Sequence, residues 1–166
     1  MTAAELREEI RAELRAELAA EGIVPESETD TETVALLTGH HMAQGMEPLE
    51  AVRATLSRLR GAFALAFLFE GEGDLMIGAR KGSPLALGHG EGEMFLGSDA
   101  IALAPFTDRI TYLEDGDHAV IRRQGAEIFD AAGQRAAQRL IDLALPLTGP
   151  GQALRFVILP AGHDPD

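Results

Sequence analysis

The spacing of apolar residues changes near Gly61, and this change constrains the fold more than any other feature of the chain. Before it, apolar residues recur at helical spacing, first as Leu6, Ile10, Leu14 and Leu18. After it, residues 62–69 form a continuous apolar run of strand length, which predicts a strand buried on both faces. The sequence therefore predicts an α+β fold, with helices first and mostly antiparallel strands afterwards.

Turn residues divide the two parts into elements. Helices are predicted over residues 3–21, over 31–44 and from Pro48 to the break at Gly61, with a short one over 100–104 capped by Ser98-Asp99. Strands are predicted over residues 62–69, 75–80, 85–88, 94–97, 110–113, 118–122 and 126–129. The first two strands are expected to form a hairpin and the last three a meander.

Composition excludes several classes of function. The formal net charge of −13 argues against a nucleic acid or an anionic membrane as partner, because phosphate binding needs a basic surface. The sequence contains no cysteine, which excludes disulfides, thiolate metal sites and cysteine nucleophiles. We find no signal-like leader and no apolar run of about 18 residues, so a cytoplasmic location is expected.

Histidines and acids give only weak indications of a metal site. His40 and His41 are adjacent on a predicted helix, so their side chains point to different sides. His89, Glu91 and Glu93 alternate and would share one face of a strand, but a glycine-rich hairpin turn explains these residues better. We therefore predict no metal and no cofactor.

The acidic stretch Ser27–Glu32 is the strongest candidate for a binding site in the sequence. Hydroxyl and acidic residues before an apolar helix accept hydrogen bonds from the free N–H groups of its first turn, and acids there face the positive end of the helix dipole. Asp30 fits the capping position, three residues before Thr33. One interpretation is simply a well-capped helix. The other is that one carboxylate is kept free to hold a cationic group, such as the ammonium of an amino acid, and spacing alone does not decide between them.

Five stretches, in order along the chain, resemble a known family. They are residues 27–32 (SETDTE), 60–65 (RGAFAL), 79–85 (ARKGSPL), 90–93 (GEGE) with 95–99 (FLGSD), and 112–117 (YLEDGD). Together they resemble the glutaminase domain, of the class II N-terminal-nucleophile type, of the glucosamine-6-phosphate synthase family. That family is also called glutamine–fructose-6-phosphate aminotransferase (isomerizing). The resemblance extends from about residue 14 to about residue 133.

The resemblance implies an N-terminal-nucleophile amidohydrolase fold, an αββα sandwich in which two antiparallel sheets lie between helical layers. It implies hydrolysis of glutamine to glutamate and ammonia, and delivery of that ammonia to a sugar-isomerase module that makes glucosamine 6-phosphate from fructose 6-phosphate. It also implies that Asp30 holds the α-ammonium of glutamine. Asp30 is the one substrate-binding residue of the family that we assign in this sequence. A charge-assisted contact of this kind orients a small zwitterion.

Three parts of the family's catalytic machinery have no counterpart in this sequence. The family begins with a cysteine nucleophile, grips the substrate carboxylate with the arginine of a His-Thr-Arg-Trp-Ala-Thr-His-Gly loop, and forms its oxyanion hole with an Asn-Gly pair. This chain contains no Cys and no Trp. Removal of Met1 would make Thr2 an N-terminal threonine, but a capping role with Glu5 explains Thr2 better. We therefore predict an incomplete domain without its first strands, with no catalytic residue and no activity by itself.

Three domains are predicted: an amphipathic helix over 1–22, a partial type 2 glutamine amidotransferase domain over 23–133, and an unrecognised, partly unstructured tail over 134–166. In the tail, residues 156–159 resemble a short strand. The alternatives are a non-catalytic module that binds an amino acid or a partner protein, and a truncated gene product that does not fold stably alone. The expected partners are glutamine, bound weakly, a missing N-terminal half or a sugar-isomerase module on another chain, and a second copy of this chain.

Overall fold

The structure is a computed structural model that describes the backbone of residues 3–136 and 140–142. It divides into two compact units, with the boundary between Gly61 and Ala62. Thr2 and residues 143–166, which include the predicted strand 156–159, lie outside the described residues. The predicted division into 1–22, 23–133 and 134–166 therefore stays a prediction.

From residue 3 onwards, the first unit contains three helices, which are α1 (Ala3–Ala20), α2 (Asp30–Ala43) and α3 (Pro48–Arg58). They confirm the three helices expected from the apolar spacing. Leu14 and Leu18 of α1 are buried against Leu37 of α2, so the part of the apolar stripe that these two residues form packs within its own unit. Helix α1 is followed by Gly22 at φ +78°, a conformation that suits glycine after a helix.

Two threonine hydroxyls lie in the contact between α2 and α3. The Oγ1 atoms of Thr38 and Thr55 are 3.0 Å apart, and both residues are buried. Each hydroxyl also donates to a carbonyl one turn earlier in its own helix, to Val34 O at 2.8 Å and to Ala51 O at 2.9 Å. These buried polar atoms are therefore satisfied without water.

The described part of the second unit contains eight strands and a short helix. The strands are β1 (Phe63–Leu68), β2 (Met76–Lys81), β3 (Ala86–His89), β4 (Met94–Gly97), β5 (Arg109–Tyr112), β6 (His118–Arg122), β7 (Gly125–Phe129) and β8 (Leu140–Asp142), and the helix is α4 (Ala100–Leu103). They form two four-stranded sheets, ordered β1-β2-β6-β7 and β4-β3-β5-β8, in which every pair is antiparallel. The predicted α+β class with antiparallel sheets is confirmed.

The two sheets face one another across a shared core. Leu87 of β3 and Ile121 of β6 belong to one buried cluster. Gly78 of β2 lies under Leu96 of β4 so closely that a Cβ at this position would be 3.2 Å from the Leu96 side chain. Helix α4 covers the other face of the second sheet, where Leu103 packs in a further cluster.

Two predictions about the strands are wrong. Strand β1 is not buried on both faces, because only Phe67 in it is buried and Leu68 is 78% exposed. Strands 110–113, 118–122 and 126–129 do not form one meander, because β5 pairs with β3 and β8 whereas β6 pairs with β2 and β7. The turn after β5 therefore carries the chain from one sheet to the other.

Candidate functional site

The acidic stretch Ser27–Glu32 leads into helix α2, as predicted, but a different residue caps the helix. Thr29 is the N-cap, with φ −79° and ψ 141°, and its Oγ1 accepts a hydrogen bond from Glu32 N at 3.4 Å. The prediction that Asp30 is the cap is wrong, because Asp30 is already the first residue of the helix. A threonine in extended conformation satisfies the same N–H groups that an aspartate would.

Glu32 is held by the loop that precedes its own helix. Its carboxylate accepts hydrogen bonds from Glu26 N at 2.7 Å, from Ser27 N at 2.7 Å and from Ser27 Oγ at 2.6 Å. The Ser27 hydroxyl and the Glu26 amide are the main reasons why the pKa of Glu32 lies below its ordinary value. This carboxylate therefore stabilises the loop and has little capacity left for a ligand.

Asp30 is exposed but not free. Its side chain is 72% exposed, and its Oδ1 lies 3.2 Å from Nη1 of Arg11 in α1. The carboxylate stands in the first turn of α2, near the positive end of the helix dipole. A carboxylate in this position can hold a cation, and in this structure the cation is a guanidinium of the same chain.

Two arginines of α1 contact the acidic stretch together. Arg11 Nη1 also donates to the carbonyl oxygen of Glu28 at 3.1 Å, and Arg15 Nη2 donates to the carbonyl oxygen of Ser27. Residues four apart lie on one helix face, so α1 presents both guanidiniums to the same loop. The sequence interpretation did not identify these arginines as part of the candidate site, although their four-residue spacing was visible.

The histidines do not assemble a metal site in the described part of the chain. No group of three His, Asp or Glu residues there could hold a metal ion. His89 is buried at the end of β3 with its Nε2 2.8 Å from Thr111 Oγ1, whereas Glu91 and Glu93 lie in the exposed turn that follows.

The ring nitrogens of His41 have no hydrogen-bond partner among the described residues. Burial is the main reason why the pKa of His41 is lowered, followed by the charges of His40 and Arg58.

A cavity of 460 Å³ lies in the second unit and was not predicted from the sequence. Its walls include the apolar side chains of Leu68, Met94 and Ile121, with Arg122 and Arg123 also lining it. No residue of the acidic stretch lines this cavity. The cavity and the candidate carboxylate therefore belong to different units.

The described helices do not meet the requirements of a membrane span. None of them combines the length and the apolar character that crossing a bilayer requires. The predicted cytoplasmic location is not tested by this finding and stays a prediction.

Known proteins resemble this chain strongly over most of its described length. The model of the glutamine amidotransferase domain family matches residues 9–105. A glutamine–fructose-6-phosphate aminotransferase (isomerizing) of Mesorhizobium japonicum is 59% identical over 136 residues, which are 82% of this chain and 21% of that protein. The enzymes of the same name from Brucella abortus and Caulobacter vibrioides are 66% and 56% identical over 110 residues, 66% of this chain and 18% of each relative.

The chain thus spans about a fifth of the length of the curated relatives that it matches. The matched residues 9–105 contain the acidic stretch and Asp30, as well as the arginines of α1 that contact it. They make up more than half of the 166 residues of the sequence. The resemblance expected from the sequence motifs is confirmed, and the chain belongs to the glutamine amidotransferase domain family.

Proposed function

We propose that this chain is part of a glutaminase domain that supplies ammonia for the amination of fructose 6-phosphate, and that Asp30 holds the α-ammonium of glutamine. The family match and the name that the relatives share support the reaction. The observation that carries the role of Asp30 is its exposed carboxylate, which already holds a cationic group at the N-terminus of α2. An ammonium donates to a carboxylate in the same way as a guanidinium does.

The proposal includes an N-terminal-nucleophile αββα sandwich. The two antiparallel sheets that face one another in the second unit support this fold. Because the sequence contains no cysteine, a thiolate nucleophile of the family's type has to come from residues outside this chain. The Trp of the family's carboxylate-clamp loop and the Asn of its oxyanion-hole pair are also absent from the 166 residues.

The catalytic part of the proposal is tested by complementation. The purified chain is mixed with a separately produced segment that carries the family's cysteine-led strands, and glutamate release from glutamine is measured. We expect no release from this chain alone and release from the mixture. Absence of glutamate at every ratio, with both segments folded, would contradict the catalytic proposal.

Two variants in the same mixture test the role of Asp30. Asp30→Asn removes the charge while keeping the size of the side chain, so we expect a raised KM for glutamine. Glu28→Gln is the matched control, because it removes the charge of an exposed side chain two residues before Asp30. Equal KM values for the two variants would remove Asp30 from the substrate site.

A further inference from the structure

The contact between Arg11 and Asp30 has the geometry of an ion pair that a ligand can displace. It consists of a single contact, from Arg11 Nη1 to Asp30 Oδ1 at 3.2 Å, and the carboxylate is 72% exposed. Exposed pairs without two parallel hydrogen bonds are weak, and breaking one changes an equilibrium constant by at most about fivefold. The pair therefore occupies the carboxylate without closing it to a ligand.

Helix α1 nevertheless keeps Arg11 close to Asp30. Leu14 and Leu18, which follow Arg11 on α1, are 3% and 1% exposed and pack against Leu37. Arg11 also donates to the carbonyl oxygen of Glu28. A group presented by a docked helix competes at a high effective concentration, because its encounter with the carboxylate is intramolecular.

We propose that Arg11 is an internal competitor for the ammonium of glutamine at Asp30, so that α1 lowers the affinity of this subsite. The inference rests on the proposed role of Asp30 and adds a regulatory contact to it. The guanidinium donates to Asp30 Oδ1, and in this proposal the substrate ammonium takes the same oxygen, so one leaves as the other binds. Any event that moves α1 away from the acidic stretch raises the affinity for the amino acid.

If Arg11 bound the substrate instead of competing with it, removing Arg11 would change the affinity for glutamine in the opposite direction. A guanidinium beside an ammonium subsite could bind the α-carboxylate of the same amino acid, since arginine matches carboxylate geometry well. Removal of Arg11 would then weaken the binding of glutamine. The direction of the change therefore separates a competitor from a carboxylate clamp.

The test is a titration with L-glutamine, followed by NMR, of the whole chain and two variants of Arg11. Arg11→Met keeps the aliphatic stem, and Arg11→Gln keeps a donor for the carbonyl of Glu28. The matched control is Arg53→Met, because Arg53 Nη1 lies 3.2 Å from Glu50 Oε1 with side-chain exposures of 28% and 62%, close to the 29% and 72% of Arg11 and Asp30. Arg53→Met removes one positive charge, as Arg11→Met does, but from a similar ion pair within α3.

We expect both Arg11 variants to bind glutamine two- to fivefold more tightly than the unaltered chain, and Arg53→Met to leave the affinity unchanged. Adding Asp30→Asn to Arg11→Met should abolish the gain. Unchanged or weaker binding by both Arg11 variants, with the unaltered chain still binding through Asp30, would overturn the competitor role alone. Absence of binding by every protein would overturn the proposed role of Asp30 and this inference with it.

Discussion

Asp115 Oδ1 accepts a hydrogen bond from the backbone N–H of Gly82 at 2.5 Å, and Arg80 Nη2 lies 3.3 Å from the same oxygen. Arg80 Nη1 also donates to the carbonyl oxygen of Leu113 at 2.9 Å. The motifs over residues 79–85 and 112–117, which are more than twenty residues apart in sequence, are thus bound to each other. Two of the stretches that identify the family therefore form one turn-to-turn contact.

Asp115→Ala should lower the stability of the second unit. The substitution leaves Gly82 N without its acceptor and Arg80 without its carboxylate, so we expect a loss of about 1 kcal/mol in the free energy of unfolding. Urea unfolding measures the loss by linear extrapolation. Asp108→Ala, which removes the same charge from an exposed loop, is the control, and an equal loss in both variants would contradict the structural role of Asp115.

Glu32→Gln should lower the free energy of unfolding at neutral pH. The variant should also lose less stability than the unaltered chain when the pH is lowered. Because the folded-state pKa of Glu32 lies below its ordinary value of 4.5, its contribution is present above pH 4.5 and is lost as the pH falls through the lowered pKa. Unfolding curves from pH 7 to pH 3 for the variant and the unaltered chain measure this difference. A parallel pH dependence in both proteins would show that the loop does not stabilise the Glu32 carboxylate.

His41→Leu should remove a loss of stability that occurs on mild acidification. The folded-state pKa of His41 lies below 6.5, so folding disfavours its protonated form. Its contribution is present above pH 6.5 and is lost as the pH falls through the lowered pKa. Unfolding curves between pH 8 and pH 5 measure the loss.

The neighbouring residue provides the control for His41. His40→Gln removes an imidazole that is hydrogen-bonded to the side chain of Gln44. It also removes one of the charges that lower the pKa of His41. We therefore expect this variant to retain a smaller pH-dependent loss of stability. A full-sized loss in His41→Leu would show that another group causes it.

The elements of the fold were predictable where the signal is local. Helix α1 follows from apolar residues at every fourth position, and the start of α3 follows from Pro48 in its first turn. The capping of α4 by Asp99 also follows from the sequence. The choice between Thr29 and Asp30 as cap of α2 did not, because both residue types serve and only the backbone angles distinguish them.

Contacts between distant residues were not predictable from one sequence. The composition of β1 does not reveal that, among the described strands, it lies at the edge of its sheet with Leu68 exposed. Local periodicity likewise cannot show that β5 and β6 belong to different sheets. The pairing of Arg11 with Asp30 joins residues 19 positions apart, and it changes the candidate site from a free carboxylate to an occupied one.

The most direct test of the role of Asp30 is an NMR titration of the unaltered chain and Asp30→Asn with L-glutamine. We expect millimolar binding by the unaltered chain, with shifts in the amide signals of Thr31 and Glu32. Loss of an exposed charged contact should weaken the affinity of Asp30→Asn by up to about fivefold. Equal affinities for glutamine in the two proteins would contradict the account.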